Sequence, residues 1–216
     1  MKRLIIYDLD GTLVDTREDI ARAANHMLAA LKAPPLDQLT IERFVGRGLH
    51  HLIKSCLKTE DAKQIEKGSK VYRDYYAKHM LDHTVLYPGA REALEYFKGR
   101  LQAVITNKPN PYSRQILEAL GVAHYFVEIV AGDTDYPKKP DPTAVLSIMK
   151  REKVEADETL FVGDSLIDIE TGRNAGIETV VISHGFEAEE TLQSENSAGV
   201  VSGFHELLTF ANQKGW

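Results

Sequence analysis

Cysteine is nearly absent from this 216-residue chain. Cys56 stands alone, so no intrachain disulfide can form and nothing depends on an oxidising compartment. Long apolar runs are missing too, since no stretch approaches the ~20 residues of a membrane span. Met1-Lys2-Arg3 has the charge of a leader peptide's first segment, but the apolar run after it stops at Asp8, too short for a leader's core. A cytoplasmic protein with no membrane partner is expected. An excess of positive charge is also lacking. Twenty-six basic residues face 32 acidic ones, a net charge of −6, which argues against a nucleic-acid partner held by bulk charge. A local positive pocket for a small anion remains compatible with that balance. There are no internal repeats and no low-complexity segments. What is present, 43% hydrophobic and 27% charged residues, is ordinary globular material. The length suits one medium domain or a domain with a substantial insertion.

The first ordered stretch organises the rest. Leu4-Ile5-Ile6-Tyr7 reads as a buried parallel strand that runs straight into Asp8, Leu9, Asp10 and Gly11. A strand ending in acids places them at the carboxyl edge of a sheet, where α/β proteins bind ligands. Asp8 and Asp10 start on the same side of the strand, and Gly11 permits the tight turn that keeps them together.

From residue 15 to 84 the pattern is helical throughout. Ile20, Ala23, Ala24, Met27, Leu28 and Leu31 recur at helical spacing, with Thr16 as the expected N-cap. Pro34-Pro35 ends that helix. Thr40 is expected to cap a second short helix, a third carries Leu49 to Cys56, and a fourth begins near Glu60 and carries Tyr72, Tyr75 and Tyr76. No strand is expected there. Beyond residue 85 strands and helices alternate strictly: strands at 101–106, 126–130, 160–162, 179–182 and 198–201, with helices between and after them. Alternation of this kind means βαβ units and a parallel sheet. The expected architecture is an α/β, Rossmann-like parallel sheet with helices on both faces (1–14 and 85–216) and an inserted all-helical cap domain (15–84).

Three later stations fall at strand ends. Thr106-Asn107 offers a hydroxyl, an amide and backbone donors for a phosphate, although both residues are ordinary turn formers. Lys138-Lys139-Pro140-Asp141-Pro142 holds a lysine in a loop stiffened by two prolines. Gly163-Asp164-Ser165-Leu166-Ile167-Asp168 repeats the strand-into-acid pattern, with Asp168 open to a plain helix-capping role. Carboxylates from separate strands meeting at one edge repel unless a cation lies between them, and Mg²⁺ with oxygen ligands is the natural partner.

Asp8-Leu-Asp-Gly-Thr-Leu-Val-Asp15, Thr106, Lys139 in its Lys-Pro-Asp-Pro loop, and Asp164 with Asp168 resemble, in order, the four motifs of the haloacid dehalogenase-like phosphatases. Phe44-Val45-Gly46-Arg47-Gly48-Leu49 resembles the phosphoglycolate phosphatase branch. The resemblance implies Asp8 as nucleophile and Asp10 as general acid and base. It further implies Lys139 as the neutralising cation, and Thr106 with Asn107 as phosphate ligands. Mg²⁺ would be held by Asp8, the Asp10 carbonyl and Asp164, and Asp168 would orient a metal-bound water or Lys139. Arg47, between two glycines, would read a carboxylate at the far end of a small phosphorylated metabolite. A monomer or homodimer is expected.

A sugar-phosphate mutase would use the same residues, and a phosphoaspartate switch resembling a receiver domain would share the acceptor aspartate and Mg²⁺. The large insertion argues against the switch. Asp10 and Asp164 argue against a dehalogenase, and Asp10 against a phosphonate hydrolase. His50-His51 do not share a helical face, so they are not expected to bind metal. Cys56 and the tyrosines read as packing residues, and the role of His184 is open.

Overall fold

The computed structural model describes residues 1–216. In chain order the elements are β1 (Leu4–Tyr7), β2 (Val14–Asp15), α1 (Arg17–Ala30), α2 (Gln38–Glu42), α3 (Leu49–Leu57), α4 (Ala62–His79), β3 (Val85–Leu86), α5 (Ala90–Tyr96) and β4 (Leu101–Ile105). There follow α6 (Tyr112–Ala119), β5 (Glu128–Val130), α7 (Thr143–Glu152), β6 (Thr159–Gly163), α8 (Leu166–Ala175), β7 (Glu178–Ile182), α9 (Glu189–Gln193), β8 (Gly199–Val201) and α10 (Phe204–Gln213).

Six strands form one sheet in the order β5-β4-β1-β6-β7-β8, and every pairing in it is parallel. The chain winds outward from β1 to β5 on one side and from β6 to β8 on the other. Such doubly wound sheets leave a ligand crevice where the winding reverses, here beyond the carboxyl ends of β1 and β6. All four residues of β1 are fully buried, and their alternation divides the core. Ile5 and Tyr7 join a cluster with Leu94, Ile116 and Phe204 of α5, α6 and α10. Leu4 and Ile6 face Val145 and Ile148 of α7. A central strand covered by helices on both faces has no use for polar residues until it ends, and it ends at Asp8.

Between β2 and β3 the chain forms four helices that pack on one another, and their apolar faces (Ile20, Met27, Ile53, Tyr76) continue the larger cluster. The connectors into and out of this insertion pair as a two-stranded antiparallel ribbon, Val14 with Leu86 and Asp15 with Val85. That ribbon was not foreseen, because two-residue strands carry no periodicity. Two caps also differ from expectation. Asp37, not Thr40, caps α2, with its Oδ1 accepting the Thr40 N–H at 2.9 Å. Thr16 holds the N-cap position of α1, but its hydroxyl makes no cap bond and donates to Asp10 Oδ1 at 2.8 Å. The strand expected at 126–130 is shorter, 128–130, because a 3-10 turn occupies Ala123–Tyr125. The short α9 was not foreseen. No helix is long and apolar enough to cross a membrane.

Asp19 of α1 stitches the return connector to the insertion. Its buried carboxylate accepts from the backbone N–H groups of His83 (3.0 Å) and Thr84 (2.9 Å) and from the Thr84 hydroxyl (2.8 Å). Asp19→Ala strands those donors and is expected to cost about 2–3 kcal/mol, read as a lower urea midpoint at unchanged m-value.

Candidate active site

The register of the sheet assembles the site. Tyr7 of β1 lies beside Val104 of β4 and Val162 of β6, and the Asp8 N–H continues the ladder to the Val162 carbonyl at 2.9 Å. The residues just beyond these strand ends therefore converge: Asp8 and Asp10, then Thr106 to Lys108, then Asp164. Lys139 arrives from the loop between β5 and α7.

Lys139 is the electrostatic centre. Its buried Nζ lies 2.9 Å from Asp8 Oδ1 and 2.7 Å from Asp168 Oδ1. Burial works against its charge, yet Asp168 and Asp8 outweigh burial and hold the ammonium above the ordinary lysine value. Burial pushes the Asp8 carboxyl up to about 6 although Lys139 pulls it down. Burial, reinforced by Asp168 and Asp8, lifts Asp164 well above the usual carboxylate range. Asp8, Asp164 and Asp168 present oxygens within 4.8 Å of one another. Against three carboxylates stands one ammonium, a surplus of two negative charges when all are ionised.

The committed hydrogen bonds show which oxygens are free. Asp168 Oδ2 accepts from the N–H groups of Asp164 and Ser165 (both 3.1 Å) and from the Ser165 hydroxyl (2.7 Å), while Oδ1 takes Lys139. Asp168 is thus spent on a capping box and on aiming Lys139. Asp164 accepts from the Thr12 hydroxyl (2.7 Å) and the Phe186 N–H (2.9 Å). Asp8 takes both of its protein donors, the Leu9 N–H and Lys139, on Oδ1, which leaves Oδ2 uncommitted. Gly11, at φ 84°, makes room for Asp164: a Cβ there would stand 2.2 Å from Asp164 Oδ2.

The site thus contains paired buried carboxylates, a fixed lysine and a free carboxylate oxygen at a switch-point crevice. The sequence pattern of the haloacid dehalogenase-like hydrolases matches residues 5–182, most of the chain. The chain belongs to the haloacid dehalogenase-like hydrolases. A phosphoglycolate phosphatase of Pseudomonas syringae pv. tomato is 36% identical over 217 residues, 96% of this chain and 79% of that protein. Another, of Vibrio parahaemolyticus, is 36% identical over 219 residues, 95% of this chain and 94% of that protein. A crystal structure described as a predicted phosphoglycolate phosphatase from Haemophilus somnus aligns with a TM-score of 0.92 at 26% identity, over 97% of this chain and 98% of that one.

Within this haloacid dehalogenase-like hydrolase, the structure brings together Asp8, Asp10, Thr106, Lys139, Asp164 and Asp168. The other two expected ligands, Asn107 and Arg47, line recesses beside these acids. The Asn107 side chain is fully used: Nδ2 donates to the carbonyls of Gly46 (2.9 Å) and Lys139 (3.0 Å), and Oδ1 accepts the Lys139 N–H (2.9 Å). Any phosphate contact from Asn107 therefore falls to its backbone. Arg47 is exposed and borders an outer recess of about 190 Å³ that reaches Asp8, Asp10 and Asp164 and is shared with Arg43 and Glu187. It does not line the pocket that holds Lys108 and Tyr76.

Sequence reasoning missed two residues and left a third open. Lys108 is buried, with Nζ 2.9 Å from Asp10 Oδ1 and 2.8 Å from the Tyr76 hydroxyl of α4. A lysine two residues past Thr106 carried no pattern of its own. Arg17 donates to the carbonyls of His184 and Gly185 and so holds the loop whose Phe186 N–H meets Asp164. His184, left open above, stacks on Tyr87 at 3.7 Å and donates to the Thr12 carbonyl, and burial depresses its pKa.

Replacing Lys139 by Met leaves an unneutralised buried acid cluster, with an expected cost of about 3–5 kcal/mol. A carboxyl whose folded pKa is raised stabilises the fold below its unfolded value of about 4 and loses that contribution as pH rises through the folded value. Loss of the cation lifts Asp8 further. The Lys139→Met deficit is therefore larger at pH 8 than at pH 5, and urea denaturation at both pH values measures it.

Proposed function

We propose that this hydrolase is a Mg²⁺-dependent phosphatase that cleaves a small, phosphoglycolate-like phosphate monoester through an aspartyl phosphate. The observation that carries the reading is the uncommitted Oδ2 of Asp8, set beside a buried surplus of two negative charges with oxygen donors only. Such a donor set fits a hard divalent cation. Asp8 and Asp164, with the Asp10 carbonyl, would hold Mg²⁺, and when bound it offsets the repulsion between carboxylates and phosphate. The names of the relatives support the substrate class.

The chain's own residues account for the remaining work. Asp8 Oδ2 attacks phosphorus and the ester bond breaks, while Asp10 in its acid form gives its proton to the departing alkoxide. Water then attacks the aspartyl phosphate and passes a proton to Asp10, releasing phosphate and restoring Asp8. Thr16 and Lys108 hold the Asp10 carboxyl from two sides. Thr106 Oγ1 accepts the Lys108 N–H at 3.2 Å, so its own hydrogen is available for a phosphoryl oxygen. Lys139 neutralises Asp8 as the anion arrives. The helices between the connectors act as a cap, closed here by Asn107 against Gly46, and a closed cap excludes water from the charged centre.

Phosphate release from a panel of small esters, with and without Mg²⁺, tests the reading. Asp8→Asn is expected to abolish turnover while the melting curve stays cooperative. Substantial activity in the purified variant would refute covalent catalysis. Asp10→Asn is expected to slow alkyl esters by about 10²–10⁴-fold and to form the phosphoenzyme from an aryl ester far less impaired. Equal losses on both leaving groups would remove Asp10 from the acid role.

A further inference from the structure

If the chain is the phosphatase proposed above, on which this inference rests, the acid that protonates the ester oxygen must touch it. A side chain packed against Asp10 then lies against the leaving group as well. Lys108 is that side chain. Its Nζ is 2.9 and 3.2 Å from the two Asp10 oxygens and 2.8 Å from Tyr76 Oη, and it sits 4.7 Å from the centre of the Tyr76 ring. It is the one cationic side chain lining the pocket between the sheet edge and the insertion, whose lining includes the apolar and aromatic Val45, Leu49, Leu52 and Tyr72.

Burying the Lys108 ammonium costs desolvation, which its partners must offset. Asp10 already receives the Thr16 hydroxyl, so Lys108 is not needed merely to fix its rotamer. The contact with Tyr76 also ties the ammonium to α4 of the insertion, on the side where the carbon skeleton of the leaving group must lie. Because Nζ contacts both Asp10 oxygens, a carboxylate on the carbon that bears the ester oxygen is the group it would meet. Arg47, exposed, borders the other recess beside the same acids, on the Asp164 side.

We propose that Lys108, steered by Tyr76, is the specificity-determining residue: its ammonium pairs with a carboxylate one carbon from the ester oxygen and selects O-phosphorylated 2-hydroxy acids of two or three carbons. A charged pair made with a buried ammonium discriminates, because a neutral analogue leaves the ammonium without its partner.

The test compares phosphoglycolate with 2-hydroxyethyl phosphate, which keeps the carbon count and replaces the carboxylate. Wild type favours the carboxylate ester. Lys108→Met is expected to cut that preference by about 10–100-fold, chiefly through a higher KM for phosphoglycolate. Tyr76→Phe retains the charge and frees its orientation, so the preference drops by about 2–10-fold. Equal losses on both esters in Lys108→Met, centred on kcat, would reduce Lys108 to a support for Asp10 and overturn the inference. Transfer of the selective loss to Arg47→Ala would overturn it too. Should Lys108→Met fail to fold, Tyr76→Phe decides alone, an unchanged preference counting against the proposal. Wild type that cleaves both esters equally well refutes this inference and leaves the phosphatase standing. Wild type inert toward every phosphate ester removes both.

Discussion

The ammonium of Lys139, bonded to Asp8 on one side and Asp168 on the other, is the constraint on which the site depends. Burying three carboxylates at one sheet edge opposes folding, and burial raises the Asp8 and Asp164 pKa values for that reason. One fixed cation makes the arrangement tolerable without satisfying it. The remaining surplus of negative charge is what makes the crevice receptive to a divalent cation. Asp168 contributes by being unavailable: with every oxygen hydrogen-bonded it aims Lys139 and holds the β6–α8 turn.

The same short segments serve chemistry and architecture together. Residues 8 to 17 supply the Asp8 carboxylate and Asp10, then Thr12 for Asp164, Thr16 for Asp10, and finally Arg17 to pin the 184–186 loop. The strand that carries the acids thus continues directly into the helix that enters the insertion. On the opposite side, Asn107 and Lys108 follow β4 and reach the Gly46 carbonyl and Tyr76 of that insertion. The seat of the helical layer and the geometry of the carboxylates are linked through these contacts.

The central acids were legible because β1 and β6 are apolar runs that stop at Asp8 and Asp164, and a buried strand has no other reason to end on a bare carboxylate. The alternation of strands and helices likewise announced a parallel sheet. Caps were less legible: Thr16 and Thr40 occupy sites where threonine often caps, but tertiary acceptors and the neighbouring Asp37 took over the hydrogen bonds. The use of the Asn107 amide, which holds two loops together, was not legible. Lys108, Tyr76 and Arg17 carried no signal, because their partners lie 32 to 168 residues away.

By itself the sequence determined the class of sheet, the helical insertion and the set of carboxylates with their lysine, because those follow from local periodicity and from acids placed at strand ends. The tertiary structure alone decided which oxygens stay free, where Arg47 sits and which cation meets Asp10. The physical reason is that hydrogen-bond donors are allotted among groups far apart in the chain. Only the register of β1 against β4 and β6, and the seat of the insertion over them, sets that allotment.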